Sequence, residues 1–155
     1  MFKIQNDRLS YGGISFSLPN GLYLDTDIDS AVENGIEFVP EDGSFRIMLR
    51  LIHYEKTAEE YIEQIKQDQV QADHFIYGDN HPHLKPTMKI DLNGLDGFAF
   101  QYKDDVDAHF NSAHGNDIHL SIYIETKNIK DVLARQDVKE FFAGIRVESD
   151  AVEKV

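Results

Sequence analysis

The sequence predicts an α+β domain built on a twisted antiparallel sheet. Three features predict it: stretches where apolar and polar residues alternate, Gly- and Asn-containing turns between them, and two segments with apolar residues at helical spacing. The strongest stretch is Phe45–His53, in which Phe45, Ile47, Leu49 and Leu51 alternate with Arg46, Met48 and Arg50. Successive strand side chains point to opposite faces, so this segment has one oily face and one mixed, partly basic face. Ile14, Phe16 and Leu18 alternate with serines in the same way. So do Phe98, Phe100 and Tyr102 with Ala99, Gln101 and Lys103, and Ile118, Leu120, Ile122 and Ile124 with His119, Ser121, Tyr123 and Glu125. This parity predicts one core containing Ile47, Leu49, Leu51, Phe98, Phe100, Leu120, Ile122 and Ile124.

Residues 3–4 begin a short edge strand, and Tyr11-Gly12-Gly13 turns into a strand over 14–18. Pro19-Asn20-Gly21 ends it, because proline removes a ladder donor and Asn-Gly favours a turn. The acidic stretch 25–34 is irregular, and Gly35 leads into a strand over 36–39 that Glu41-Asp42-Gly43-Ser44 joins to Phe45–His53. Thr57 and Glu60 form a capping-box pattern, opening a helix whose stripe is Ala58, Tyr61, Ile62 and Ile65. A single apolar stripe places that helix on a surface. Residues 73–87, with Gly78, Asn80, Pro82 and Pro86, read as a loop. A strand over 88–92 follows, and Asn93-Gly94-Leu95-Asp96-Gly97 turns into a strand over 98–103. Residues 104–117 read as a polar loop before the strand Ile118–Thr126. A helical turn starts over 131–133, and Asp137 caps a final helix with the stripe Val138, Phe141, Phe142 and Ile145, a candidate cover for the core. The expected organisation is a single domain over 1–148 and a frayed tail over 149–155.

With 155 residues the chain can bury a core of its own, and without cysteine it has no thiol nucleophile, thiolate metal site or disulfide. The first residues, MFKIQNDRLSYGG, lack the apolar core of a signal peptide, and no stretch approaches a membrane span, so the expected location is the cytoplasm with no membrane partner. Twenty-eight acidic against fifteen scattered basic residues give a formal charge of −13, which repels a phosphate backbone and argues against nucleic acid.

The succession of ISFSLPNG, a hairpin, a T-x-x-E helix, NGLDG feeding FAFQY, a long strand and DVKEFFAGIRVE resembles the PsbP-like superfamily across nearly the whole chain. That group contains extrinsic subunits of the oxygen-evolving complex, a nuclear-import factor that binds the Ran GTPase, and bacterial relatives including secretion chaperones. The resemblance implies an α/β/α sandwich around a central antiparallel sheet. It also implies binding of a protein partner, in an adaptor- or chaperone-like role, rather than catalysis. Members often carry Trp soon after the Pro-x-Gly turn, where this chain has Leu22-Tyr23. No functional residue transfers, because members bind different partners with different surfaces.

No nucleophile stands in a motif with its base, and no glycine-rich phosphate cradle is present, so neither enzymatic activity nor a cofactor is expected. Asp25-Thr26-Asp27-Ile28-Asp29 mimics the start of an EF-hand, but Ser30 and Ile36 occupy the positions that need Gly and Glu. His81-Pro82-His83 and His74 form one histidine group, and Asp104, Asp105, Asp107, His109, His114 and His119 another. Such spacing does not force convergence, so no tight metal site is expected; His109 and His114 are the nearest to a ligand pair. The partner-binding candidates are Arg46, Arg50, Gln101, His119 and Tyr123, with Met48, Lys103 and Glu125 beside them, on the second face of the sheet. Two arginines four residues apart share one strand face and suit a carboxylate-bearing segment of a protein partner. The alternative is a small ligand held in the same mixed face.

Overall fold

The computed structural model describes residues 3–5, 8–11, 13–25, 35–77, 84–115 and 117–148. In chain order these form β1 (Lys3–Gln5), β2 (Arg8–Tyr11), β3 (Ile14–Phe16), β4 (Leu22–Leu24), β5 (Ile36–Pro40), β6 (Phe45–His53) and α1 (Ala58–Tyr77). There follow β7 (Met88–Leu92), β8 (Leu95–Tyr102), β9 (Asp105–Phe110), β10 (Ile118–Thr126), α2 (Ile129–Ala134), α3 (Gln136–Ala143) and β11 (Arg146–Val147). Seven strands make one antiparallel sheet in the order β4-β5-β6-β10-β9-β8-β7, and four make a second in the order β1-β2-β3-β11. The expected antiparallel α+β sandwich is observed.

The pairing of β6 with β10 runs without interruption from Phe45↔Thr126 to His53↔Ile118. It places Ile47, Leu49 and Leu51 beside Ile124, Ile122 and Leu120, and β9 continues that face with Val106, Ala108 and Phe110. Ile14 and Phe16 of β3, Ile129 and Val132 of α2, and Val138, Phe141 and Ile145 near α3 close over it. Phe38 stands 5.0 Å from Phe16 and 4.6 Å from Phe141, ring centre to ring centre, at the middle of this core. On the opposite face α1 packs against β8 and β9. Thr57 caps α1 by accepting from the Glu60 amide at 3.2 Å, and Asn111 accepts from the Ala58 amide at 2.8 Å, so two otherwise orphaned donors are satisfied.

Several expectations are corrected. Residues 104–117 are not a loop throughout: β9 occupies their first half and stands between β8 and β10. Its core-facing set is only Val106, Ala108 and Phe110, while Asp105, Asp107 and His109 make it read as polar. Phe98 and Phe100 do not share the core of Ile47 and Ile122. Two-residue turns at Asn93-Gly94 and Lys103-Asp104 fix the register Ala99↔Ala108 and Phe98↔His109, which sends the aromatic residues beneath α1. The core face there carries Gly97 and Ala99, and an added Cβ on Gly97 would lie 2.5 Å from the Phe110 ring. The α1 helix extends to residue 77, into the expected 73–87 loop, and buries Asp73, whose carboxylate accepts from the Tyr102 hydroxyl at 2.6 Å. Asp137 is not the cap of α3: it lies in the first turn and takes both arms of Arg135 at 3.0 and 2.8 Å. Arg8–Tyr11 and Leu22–Leu24 are two short strands that the alternation did not reveal.

Truncating Leu49 or Ile122 to alanine should cost about 2–5 kcal/mol in urea unfolding, through lost burial and a residual cavity. Gly97→Ala should also destabilise, because the new methyl would stand 2.8 Å from the His109 carbonyl, which its strand holds in place.

Candidate functional site

Among the described residues α1 packs chiefly on β8 and β9, and most of the rest of that face, formed by β4, β5, β6 and the Ser121–Glu125 part of β10, lies beyond it. Strand register brings Tyr23, Val39, Glu37, Arg46, Met48, Arg50, Ser121, Tyr123 and Glu125 onto this part of the face. Tyr23 is 52% exposed, Val39, Met48 and Tyr123 are half-buried, and Arg46 and Arg50 are exposed. Apolar side chains thus lie between charged ones on this part of the face.

The two arginines differ. Arg46 is engaged with Glu37 at 2.5 Å and Asp25 at 3.8 Å, which ties β6 to β5 and the end of β4 and holds its guanidinium further above its ordinary value. Arg50 has no ion-pair partner among the described residues. Tyr123 donates to Asp105 at 3.1 Å, and Asp105 also accepts from the Thr126 amide at 3.1 Å. Burial and then the Asp105 charge raise the Tyr123 hydroxyl. Burial, reinforced by Asp105 and opposed by Arg50, pushes Asp107 up to about 6. At the end of β6 and β10 the face runs into a hollow of about 860 Å³, lined by the Gly43–Arg46 turn, Tyr123, Glu125, Lys127, Asp131 and Arg135 among others.

Of the sequence candidates, Arg46, Arg50, His119 and Tyr123 share this face. Gln101 does not: it pairs with Val106 on the opposite side, and its amide donates to the Lys103 carbonyl at 2.7 Å. His119 is only 3% exposed and turns towards His109, with nitrogens 2.9 Å apart. Tyr61 of α1 stacks on the His109 ring at 3.8 Å, and Tyr54 meets both imidazoles edge-on. Burial, the neighbouring His119 and Arg50 together lower His109 to about 3; His119 is lowered chiefly by burial. His109 Nδ1 finds no partner among the described residues, so the neutral pair is best served when His109 Nε2–H donates to His119 Nδ1 and leaves a lone pair, not a proton, unmatched. His114, offered by sequence as a co-ligand of His109, is exposed and lies 3.1 Å from the Val147 carbonyl. Among the described residues no group of three or more His, Asp or Glu could hold a metal ion. Residues 26–30, 81 and 83 lie outside the described residues. The sequence reading grouped Asp105 and Asp107 with loop histidines and Tyr61 with a helix stripe but placed none of them, nor Tyr23, on this face; the alternation Val106-Ala108-Phe110 was the available signal for the two aspartates.

No family model matches this chain, and no curated protein matches it by sequence. Solved structures do match. The solution structure of cyanobacterial PsbP (CyanoP) from Synechocystis sp. PCC 6803 superposes over 95% of this chain and 91% of that one, with a TM-score of 0.53 at 10% identity. The fold is PsbP-like. At that identity the likeness concerns architecture alone and transfers no site. No helix among the described residues is long and apolar enough to cross a membrane.

Protonation should act on this site in two directions. Between about pH 6.5 and 3 the unfolded chain binds protons that folded His109 refuses, so that histidine removes stability as pH falls through this range. Folded Asp107 binds its proton at about 6, above the ordinary 3.8, so it adds stability as pH falls across that narrower window. Asp107→Asn should therefore stabilise at pH 7.5 by about 1–3 kcal/mol and lose more on acidification than wild type. His109→Phe should lose less. Urea titrations at pH 7.5 and 5 measure both.

Proposed function

We propose that this protein is a non-catalytic protein-interaction module, adaptor- or chaperone-like, whose docking surface is the part of the α1 face of the seven-stranded sheet that no helix among the described residues covers. The observation carrying this reading is the partial cover among the described residues: α1 packs chiefly on β8 and β9, while Tyr23, Met48, Arg50 and Tyr123 stand on the rest of the same face. Arg50 makes no direct ion pair among the described residues and feels only the field of Asp107, so its guanidinium is left to meet a partner. Its planar fork fits a carboxylate of the partner, and Tyr23 and Met48 give an adjoining side chain apolar contact. Arg46, already joined to Glu37 and Asp25, orders the edge of the surface and meets the partner secondarily. His119 shares the face but is buried against His109 and Tyr54, out of a partner's reach, and Gln101 lies on the opposite side.

The hollow beside Glu125 and Arg135 favours a second reading, a small polar ligand, because its volume lies in the range of small-molecule sites. The two readings separate by experiment. Wild-type protein used as bait should capture a stoichiometric protein whose cross-links fall on β6 and β10. A folded Arg50→Glu variant should retain roughly one-tenth of that yield or less, equivalent to about 1.4 kcal/mol. Lys139→Glu, on the outer surface of α3, should retain all of it. Undiminished capture by folded Arg50→Glu sinks this surface as the docking site. A small molecule retained in native mass spectrometry, without a protein partner, favours the hollow.

A further inference from the structure

We infer that β7 is a self-complementary edge through which two copies of this chain pair, joining their sheets across a two-fold axis at Ile90. β7 is a terminal strand of the seven-stranded sheet: β8 pairs with one side, and no strand among the described residues pairs with the other. Met88, Lys89 and Asp91 are exposed and Ile90 and Leu92 half-buried, and Met88 is 52% exposed. An edge of this kind presents unpaired amides and carbonyls, the usual template for another strand.

The register shows which groups point outward. Leu92 and Leu95 flank the two-residue turn Asn93-Gly94, whose φ values of 53° and 94° suit a tight hairpin. Residues flanking such a turn form a hydrogen-bonded pair, and antiparallel pairs then alternate. Leu92, Ile90 and Met88 therefore direct their amides and carbonyls to β8, opposite Leu95, Gly97 and Ala99. Lys89 and Asp91 direct theirs to the open side.

A second β7 laid antiparallel with Ile90 opposite Ile90 brings Lys89 opposite Asp91 of the other copy, and Asp91 opposite its Lys89. These are the two positions whose backbone groups face outward, so the same register satisfies four backbone hydrogen bonds and sets two opposite-charge pairs side by side. Met88 comes to stand opposite Leu92, which covers the exposed methionine. A one-residue shift would lose the hydrogen-bonding phase, and a two-residue shift would lose the charge match. Pairing is isologous and uses up the edge of both copies, so it closes at a dimer. One strand pair buries little area, and each chain carries a formal charge of −13, so the dimer is weak, with a Kd on the order of 0.1–1 mM at physiological salt.

Sedimentation velocity on purified protein from about 10 µM to about 1 mM, in 0.15 M salt, tests this. Wild type should pass from monomer towards dimer and no further. Lys89→Glu and Asp91→Lys each place like charges opposite one another and should weaken association at least ten-fold, about 1.4 kcal/mol. The double variant Lys89→Glu/Asp91→Lys restores opposite charges in reversed order and should recover dimerisation to within about three-fold of wild type. Circular dichroism establishes that each variant is folded. A wild type that stays monomeric to about 1 mM overturns the inference, as does a dimer indifferent to both single reversals, a double variant that fails to recover, or a series extending beyond two copies.

Discussion

The constraint on which this structure depends is the nine-residue register between Phe45–His53 and Ile118–Thr126. A period of two leaves no intermediate choice: slipping either strand by one residue would carry Ile47, Leu49, Ile122 and Ile124 out of the core. Phe16, Phe38 and Phe141 can meet only because that face is fixed. Everything on the opposite face inherits the same parity, so Arg46, Met48 and Arg50 are surface residues for the same reason that their neighbours are buried.

The opposite face divides according to what α1 can reach. Under the helix the sheet supplies aromatic bulk: Phe98, Phe100, Tyr102, and the imidazoles of His109 and His119 closed off by Tyr61. Beyond the helix it supplies charge and partial burial together. Asp107 lies at the boundary, dry enough to resist ionisation yet within influence of Arg50. A carboxylate and an imidazole one residue pair apart on the same strand face are thus both held nearer neutrality by the same loss of water, and their responses to acid oppose each other.

The parts of this architecture that were legible in the sequence are those where one periodicity acts alone. β6 and β10 alternate cleanly, α1 announces its start with Thr57 and Glu60, and the stripe Val138, Phe141 and Ile145 is buried as its spacing requires. β9 was not legible because Ala108 is small and Asp105, Asp107 and His109 lend it the composition of a loop. The side taken by Phe98 and Phe100 was not legible either. Both faces of β8 are covered at that point, so apolar residues occur on each, and only the two-residue turns before and after decide which face receives the rings. The histidine pair follows from β9 and could not be found without it.

Strand order has a further consequence, in time rather than in space. β7, β8, β9 and β10 are sheet neighbours in the order in which the chain presents them, and two of their three connections are two-residue turns. The pairing of β6 with β10, by contrast, encloses α1 and that whole meander. Closing a long segment costs chain entropy before its contacts are made, whereas a meander gains contacts as each short turn forms. The meander is therefore the half of the sheet that can assemble on local information, and β6 must find an edge already prepared for it. A β10 paired with β9 alone would present an apolar edge to any strand that reached it before β6 did.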